Sequence, residues 1–294
     1  MLTKPLAYAA IDQVPDFLSR MSVEITAKQA DKLPLIAARM RPGAEVFVAL
    51  IDPADLEGQI AAVGAIHAHG LRPVPHVPAR FVRDRDDLER RLAAFAEKGR
   101  VERILVLGGG AKHPLGSYKA AIELLETGLL QAHGMTGFGM AGHPEGNSDI
   151  TATLGEGALI EALKLKQAYA RDNGMSAFIA TQFLFAAEPV AAWAETLKAH
   201  GIALPIAVGV PGPATIKTLV RYAQMCGVGQ SARFIRKQAL NVSKLLTVNT
   251  PDAFVADLAR LADERPELHI ARPHLYPFGG FDKLFDWVGR ANSE

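Results

Sequence analysis

Residues 45–77, EVFVALIDPADLEGQIAAVGAIHAHGLRPVPHV, determine the fold class. The run 45–51 is nearly all apolar, which is typical of a strand covered on both faces. Within 53–69 an apolar stripe recurs at helical spacing. It consists of Leu56, Ile60, Val63 and Ile66. A helix stop at Gly70 and a second strand at 71–77 complete the pattern, which predicts a strand–helix–strand unit with parallel strands.

The same alternation runs along the whole chain. Strands are predicted at 22–26, 45–51, 71–77, 101–107, 137–142, 177–185, 205–210 and 268–276. Helices fall between them, including one at 213–226. Eight such units favour a closed (β/α)8 barrel over an open doubly wound sheet, which is also disfavoured because no Gly-x-Gly-x-x-Gly opens a helix. We expect residues 1–20 to be an extension and 21–294 to be a single barrel domain.

Composition restricts the partners. The 294 residues carry a net charge of +1 with no basic stripe, so neither nucleic acid nor a membrane surface is an expected partner. A single cysteine, Cys226, excludes a disulfide within the chain, favours the reducing cytoplasm and is predicted to be a buried small apolar residue. No signal peptide or membrane span is recognisable. The oligomeric state stays open, and a homo-oligomer is compatible with the sequence.

In a barrel of this type the chemistry lies at the C-terminal ends of the strands. That rule selects Glu24, His76, the glycines 108–110, the segment 143–147, Gln182 and Tyr276. The glycines match neither a P-loop nor a dinucleotide fingerprint. They indicate either a tight turn or a place where a flat or phosphorylated ligand comes close to the backbone.

Several of these stretches resemble the methylenetetrahydrofolate reductase family. TQFLF (181–185) is the best match, to a Thr-Gln-Phe-x-Phe strand of the family. Others follow in the family's order, namely VEIT (23–26), VPHV (74–77), LGGG (107–110), HPE (143–145) and HLY (274–276). The resemblance extends from residue 22 to about residue 280, and the shared order is more specific than any single motif.

The resemblance implies a barrel that binds FAD and uses NADH or NADPH to interconvert 5,10-methylenetetrahydrofolate and 5-methyltetrahydrofolate. Its partner would be a tetrahydrofolate derivative. Glu24 is the expected general acid, with a pKa raised by apolar neighbours; otherwise it is a surface carboxylate. Gln182 is expected to bind the pterin edge, or else to bond to backbone within the barrel. Phe183 and Tyr276 are expected beside the same substrate, as core or lid aromatics rather than stacking platforms.

The resemblance also implies a set of flavin-binding residues. They are His76, Gly108, Gly109, Gly110, Ser117, Tyr118, His143, Asn147 and Lys166. Lys166 closes a Leu-Lys-x-Lys pattern (163–166) and is expected to meet the FAD pyrophosphate, the alternative being a solvated lysine. His76 is otherwise a core histidine. No pair of histidines has metal-ligand spacing, so no metal site is predicted.

The glycines are the main departure from the family. Gly108 and Gly110 stand where the family has arginine and aspartate. Without a carboxylate near the flavin, the reduced form should be more stable, and we therefore hypothesise that the enzyme works partly in the oxidative direction. The alternatives are direct hydride transfer without flavin, a folate-dependent methyl transferase, and a non-catalytic folate- or flavin-binding barrel.

Overall fold

The chain folds as a closed barrel of parallel strands surrounded by helices. The computed structural model describes residues 13–111, 113–155, 157–225 and 248–291. The barrel strands are β1 (Ser22–Thr26), β2 (Glu45–Ala49), β3 (Arg72–Pro78), β4 (Arg103–Leu107), β5 (Gly137–Gly142), β6 (Ser176–Phe183), β7 (Ile206–Pro211) and β10 (Ile270–Tyr276). Their order around the barrel is β1-β10-β7-β6-β5-β4-β3-β2, so the predicted (β/α)8 fold is confirmed.

The last strand closes the barrel against the first. β1 pairs in parallel with β10, with Ser22 opposite His274, and with β2, with Glu24 opposite Phe47. Two short segments, β8 (Ala214–Thr215) and β9 (Val248–Asn249), form a separate antiparallel pair. Closure brings the first and last strands together, although they are far apart in sequence.

The helices cover the outside of the barrel. They are α1 (Gln13–Ser19), α2 (Leu33–Arg39), α3 (Leu56–Ala68), α4 (Arg85–Gly99), α5 (Ala121–Leu125), α6 (Leu129–Ala132), α7 (Ser148–Leu154), α8 (Ala158–Asp172), α9 (Ala187–Ala199), α10 (Ile216–Met225), α11 (Asp252–Glu264) and α12 (Phe281–Ala291). On α3 the predicted stripe packs on the core, with Val63 and Ile66 fully buried. Among the described helices, none has the length and apolar character needed to cross a bilayer.

Strand alternation separates two cores. Outward residues such as Val23, Ile25 and Val46 join the large apolar layer under the helices. Inward residues of β2 to β6 form a smaller cluster of Phe47, Val74, Leu105, Phe178 and Ala180. This inner cluster fills the barrel, and polar side chains lie on both sides of it.

Packing inside the barrel explains why residue 139 is a glycine. A Cβ built on Gly139 would lie 2.5 Å from the Phe178 ring and 2.8 Å from Leu105 Cδ1. The bare backbone of β5 therefore makes room for a large side chain from β6.

The N-terminal part that the structure describes is already integrated into the fold. Residues 13–19, within the predicted extension, form α1, whose Phe17 and Leu18 are buried in the outer core. The predicted helix 213–226 begins later, at Ile216. Cys226 lies outside the described residues.

Candidate functional site

Glu24 lies inside the barrel between two histidines. Its Oε2 is 3.4 Å from His76 Nε2 on β3 and 3.5 Å from His274 Nε2 on β10. The glutamate side chain keeps 21% of its surface exposed, whereas His274 keeps 1%. Because Glu24, His76 and His274 are all inward residues of their strands, barrel closure alone brings them together.

The charge state of this cluster differs from the prediction. Burial raises the pKa of Glu24, but the positive potential of His76 and a hydrogen bond and charge from His274 outweigh it, so the pKa lies below its ordinary value. The expectation of a raised pKa is therefore wrong. Its premise fails because Val23 and Ile25 point outward, away from the carboxylate.

His76 is the second titrating group of this cluster. Burial lowers its pKa below the ordinary value, Glu24 opposes this effect and His274 adds to it. Its Nε2 is buried and lacks a hydrogen-bond partner in the described part of the chain. His76 therefore acts on Glu24 through electrostatics rather than through an aligned hydrogen bond.

His274 is fixed from several sides. Its Nδ1 lies 2.9 Å from Ser22 Oγ, and its ring contacts Phe47 and Tyr276 at centroid distances of 4.4 and 4.9 Å. The sequence reasoning missed both Ser22 and His274. The available signal was the period of two on β10, which places residue 274 on the same face as Tyr276.

Gln182 lies at an irregularity between β6 and β7. The register shifts between Ala180 and Phe183, because one extra residue of β6 is accommodated there. Thr181 Oγ1 stabilises this bulge by accepting a hydrogen bond of 2.8 Å from Gly209 N. A side chain at residue 209 would meet Gln182 O at 2.4 Å, so the bulge requires glycine there. Gln182 is half-buried at the C-terminal end of the strand.

The bulge turns Phe183 toward the mouth of the barrel. Phe183 pairs with the inward residue Gly209, is 1% exposed and contacts Tyr276 and Phe278 at 5.8 and 4.9 Å between centroids. Tyr276 donates a hydrogen bond of 3.1 Å to Thr181 O. Both aromatics predicted to lie near the substrate thus belong to one packed wall of the mouth, alongside His274.

The glycine loop packs against the turn after β3. Gly109 has a φ of 89°, and a Cβ there would lie 3.0 Å from Pro78 Cβ. Gly108 O accepts from Arg80 N at 3.1 Å, and Arg80 also donates to Ala111 O through Nη1 at 3.1 Å. Around Gly108 and Gly110 the space within 4 Å of a Cβ is open. Gly109 is thus a turn residue, while its two neighbours leave room for a ligand or a side chain.

Lys166 and His143 form a second polar cluster, beyond the end of β5. Lys166 on α8 is 8% exposed, and burial lowers its pKa to about 8. Burial, with a contribution from Lys166, lowers the pKa of His143 to about 4. Within the described ranges, no carboxylate pairs with the Lys166 ammonium. The expectation of a solvated lysine on a helix surface is not met.

The remaining predicted flavin residues have different surroundings. Ser117 is exposed, and Tyr118 packs on the outer core. Asn147 lies before α7 and accepts a hydrogen bond of 3.2 Å from Ile150 N through its Oδ1. The described residues contain no group of three or more histidine, cysteine, aspartate or glutamate side chains that could hold a metal ion.

No protein-family model matches the chain. Among solved structures it is similar to dihydropteroate synthase from Thermus thermophilus, with 11% identity, 95% of each chain covered and a TM-score of 0.47. It is also similar to triosephosphate isomerase from Bartonella henselae, with 9% identity, 94% of this chain and 100% of that chain covered, and a TM-score of 0.48. A third similar structure is 3-dehydroquinate dehydratase from Aquifex aeolicus, with 12% identity, 64% of this chain and 78% of that chain covered, and a TM-score of 0.39. These are three different enzymes, so they select no activity.

Proposed function

We propose that this chain is a flavin-dependent oxidoreductase that interconverts 5,10-methylenetetrahydrofolate and 5-methyltetrahydrofolate. The observation that carries the proposal is the placement of Glu24 inside the mouth, with its carboxylate contacted by two histidines and still partly accessible. Opening the five-membered ring of the folate requires a proton at the leaving nitrogen. A partly accessible carboxyl group in a barrel mouth suits that task.

The lowered pKa of Glu24 is compatible with this role if the ligand changes it. Burial is already the largest single influence on the carboxyl group, and it favours the protonated form. A heterocycle covering the mouth would remove more water from the carboxyl group and raise its pKa from this lowered value. In the reductive direction the Glu24 carboxylic acid then gives its proton to the leaving nitrogen, and in the oxidative direction the carboxylate accepts it.

The residues present fit a phosphorylated flavin. Lys166 is buried and has no carboxylate partner among the described residues. An anion stabilises such a lysine, so Lys166 is suited to the FAD pyrophosphate. The open space at Gly108 and Gly110 leaves room for the isoalloxazine ring. When bound, the flavin would supply hydride transfer between NAD(P)H and the folate.

A visible absorption spectrum of the purified protein tests the cofactor. We expect flavin absorbance that bleaches anaerobically on addition of NADH or NADPH and returns on addition of methylenetetrahydrofolate. Starting from the oxidised form, 5-methyltetrahydrofolate should bleach the same band if the enzyme works in the oxidative direction. A colourless protein that binds no added FAD would contradict the flavin assignment.

Two alternatives have distinct outcomes in the same assay. A folate-dependent methyl transferase would consume methyltetrahydrofolate only with a methyl acceptor and without any change in flavin absorbance. A non-catalytic binding protein would shift the spectrum on ligand addition but would not turn over. Glu24→Gln is the matched control, because it keeps the side-chain size and removes the titrating group.

A further inference from the structure

Four charged side chains point into the barrel at its N-terminal end, opposite the mouth. Each lies two residues before an inward residue of its strand. We call them the basic cluster, and they are Glu45 on β2, Arg72 on β3, Arg103 on β4 and Arg272 on β10. Burial raises the pKa of Glu45, but the positive potentials of the three arginines outweigh this effect and the pKa lies below its ordinary value. Three guanidinium groups therefore act on one carboxylate.

The carboxylates present do not satisfy these arginines. Arg103 Nη1 donates to Glu45 Oε1 at 3.2 Å, and Arg272 Nη2 donates to Oε2 of the same group. Arg72 is paired more loosely, since its Nη1 lies 3.6 Å from the exposed carboxylate of Glu102. Within the described ranges, neither Arg103 nor Arg272 has a second carboxylate partner, and Arg103 Nε is a buried N–H without a hydrogen-bond partner. The cluster thus keeps unsatisfied donors and a surplus of positive charge.

The strands that complete this end of the barrel carry small residues. Arg103 lies beside Gly137 of β5 in the register of the sheet, and Gly137 lies beside Ser176 of β6. A Cβ at Gly137 would lie 2.0 Å from Ser176 Oγ, so no side chain on β5 separates this hydroxyl from Arg103. Ala207 of β7 lies beside Arg272. The guanidinium groups therefore stay accessible, with 34% of the Arg103 side chain and 17% of the Arg272 side chain exposed.

The two arginines are held in place by the protein itself. Arg272 Cζ lies 5.5 Å from the centroid of the Phe178 ring, and Glu45 holds the same guanidinium group from another side. Glu45 also pairs with Arg103. A guanidinium group that is already fixed loses little conformational freedom when an anion binds. Its planar fork of N–H donors matches the oxygens of a phosphate or a carboxylate group.

We propose that the N-terminal end of the barrel is a binding site for a small oxyanion, a phosphate or a carboxylate group, held by Arg103 and Arg272. The Ser176 hydroxyl, which donates to Thr136 O at 3.2 Å, can rotate to donate to the same anion. Glu45 repels the anion, so it lowers the affinity and favours a ligand that contacts both guanidinium groups at once.

This oxyanion site is separate from the mouth. The inner apolar cluster, which includes Phe47 and Phe178, lies between the basic cluster and Glu24. The assignment therefore does not depend on the proposed function. We expect an anion bound here to change the stability of the barrel and to leave folate turnover unchanged.

Arginine NMR reads the site directly. We expect the Nε–H signals of Arg103 and Arg272, assigned from Arg103→Gln and Arg272→Lys, to shift and saturate as inorganic phosphate is added at constant ionic strength. Sodium acetate is the carboxylate probe, and sodium chloride is the control for ionic strength. Saturation at lower phosphate than acetate identifies a phosphate site, and the reverse order identifies a carboxylate site. Equal shifts with all three salts, or no shift, would overturn the proposal.

Thermal unfolding provides the second test. Phosphate stabilises proteins in general, so the comparison between variants decides. We expect roughly 20 mM phosphate to raise the melting temperature of the wild type by about 3 °C relative to chloride of equal ionic strength. Arg103→Gln should lose most of this shift. Arg260→Gln is the matched control and should keep it, because Arg260 is similarly exposed and pairs with Asp257 on the outer helix α11.

Glu45→Gln keeps the test decisive if Arg103→Gln does not fold. Without the carboxylate that repels the anion, this variant should bind phosphate about 10-fold more tightly and show a larger rise in melting temperature than the wild type. Equal rises in the wild type, Glu45→Gln and Arg260→Gln would indicate a general salt effect and overturn the proposal.

Discussion

Two glutamates point into the barrel from neighbouring strands, and their partners give them different properties. Glu45, the first residue of β2, is 3% exposed and forms ion pairs with Arg272 and, at 3.2 Å, with Arg103. Glu24 on β1 contacts two histidines. Phe47 and Phe178 lie between the two sites, Phe47 against both histidine rings and Phe178 under the Arg272 guanidinium.

The difference lies in the cations rather than in the carboxylates. Burial raises the pKa of Glu45, but the combined effect of Arg272 and Arg103 is larger, so the pKa lies below its ordinary value. Arginine keeps its charge at any accessible pH. Histidine loses its charge near neutrality, so Glu24 sits in a cluster that can exchange a proton. We therefore expect Glu45 to stabilise the barrel at the N-terminal end of β2, and Glu24 to take part in the proposed chemistry at the mouth.

The largest effect should come from Glu24→Gln. We expect folate turnover to fall about 1,000-fold, because the amide cannot supply or accept the proton. The free energy of unfolding should change little. Steady-state kinetics and denaturant titration on the same preparation would check both. A variant that retains its turnover would remove Glu24 from the chemistry and break the comparison.

The matched change at the other end is Glu45→Gln. It leaves two guanidinium groups without their counter-charge, and we expect a loss of about 3 kcal/mol in the free energy of unfolding, at the lower end of the usual range because Arg103 is partly solvated. Activity per folded molecule should stay near that of the wild type. Stability equal to that of Glu24→Gln would show that the two carboxylates do not differ in the way we infer.

A third buried charge, Lys166, has no carboxylate partner among the described residues and extends the comparison to the cofactor. We expect Lys166→Met to weaken FAD binding about 30-fold, measured by flavin fluorescence, through loss of a charge-assisted contact. Because burial lowers the pKa of Lys166 to about 8, wild-type affinity should fall as the pH rises through that value, and the variant should lack this dependence. Lys164→Met is the control, since Lys164 is more exposed and pairs with Glu161 on the same helix.

The glycine loop, residues 108–110, has no carboxylate, and a substitution can introduce one there. Open space at Gly110 should accept Gly110→Asp without loss of folding. A negative charge introduced beside the flavin should lower its midpoint potential by on the order of 30 mV, because it disfavours the anionic reduced form. Spectroelectrochemistry would measure this shift. Gly110→Asn is the uncharged control, and an equal shift in both variants would contradict the electrostatic explanation.

The last effect concerns stability in acid and does not involve the proposed activity. Burial lowers the pKa of His143 to about 4, so the unfolded chain binds a proton there that the folded chain does not. At pH values well above an unfolded pKa of about 6.5, this protonation has no effect on the free energy of unfolding. As the pH falls from there toward about 4, it reduces the free energy of unfolding by on the order of 3 kcal/mol. His143→Asn should flatten this part of the stability profile. If the melting temperatures of the wild type and of His143→Asn depend on pH in the same way from pH 7 to about pH 4, this prediction is refuted.

The sequence by itself determined the barrel and much of its mouth. Apolar runs alternating with helical stripes predict each barrel strand, because a strand covered on both faces and a one-sided helix have distinct periods. The strand-end rule then selects Glu24 and His76. The cofactor and the reaction come from the family resemblance and remain predictions.

Only the tertiary structure decided what surrounds each of these groups. Ser22 and His274 meet Glu24 through closure between the first and last strands, and the sequence carries no local sign of that register. For the same reason the sequence suggested a raised pKa for Glu24, since its chain neighbours are apolar but point to the other side of the strand. A pKa depends on the groups within a few ångströms in space, and in a closed barrel those groups come from different strands.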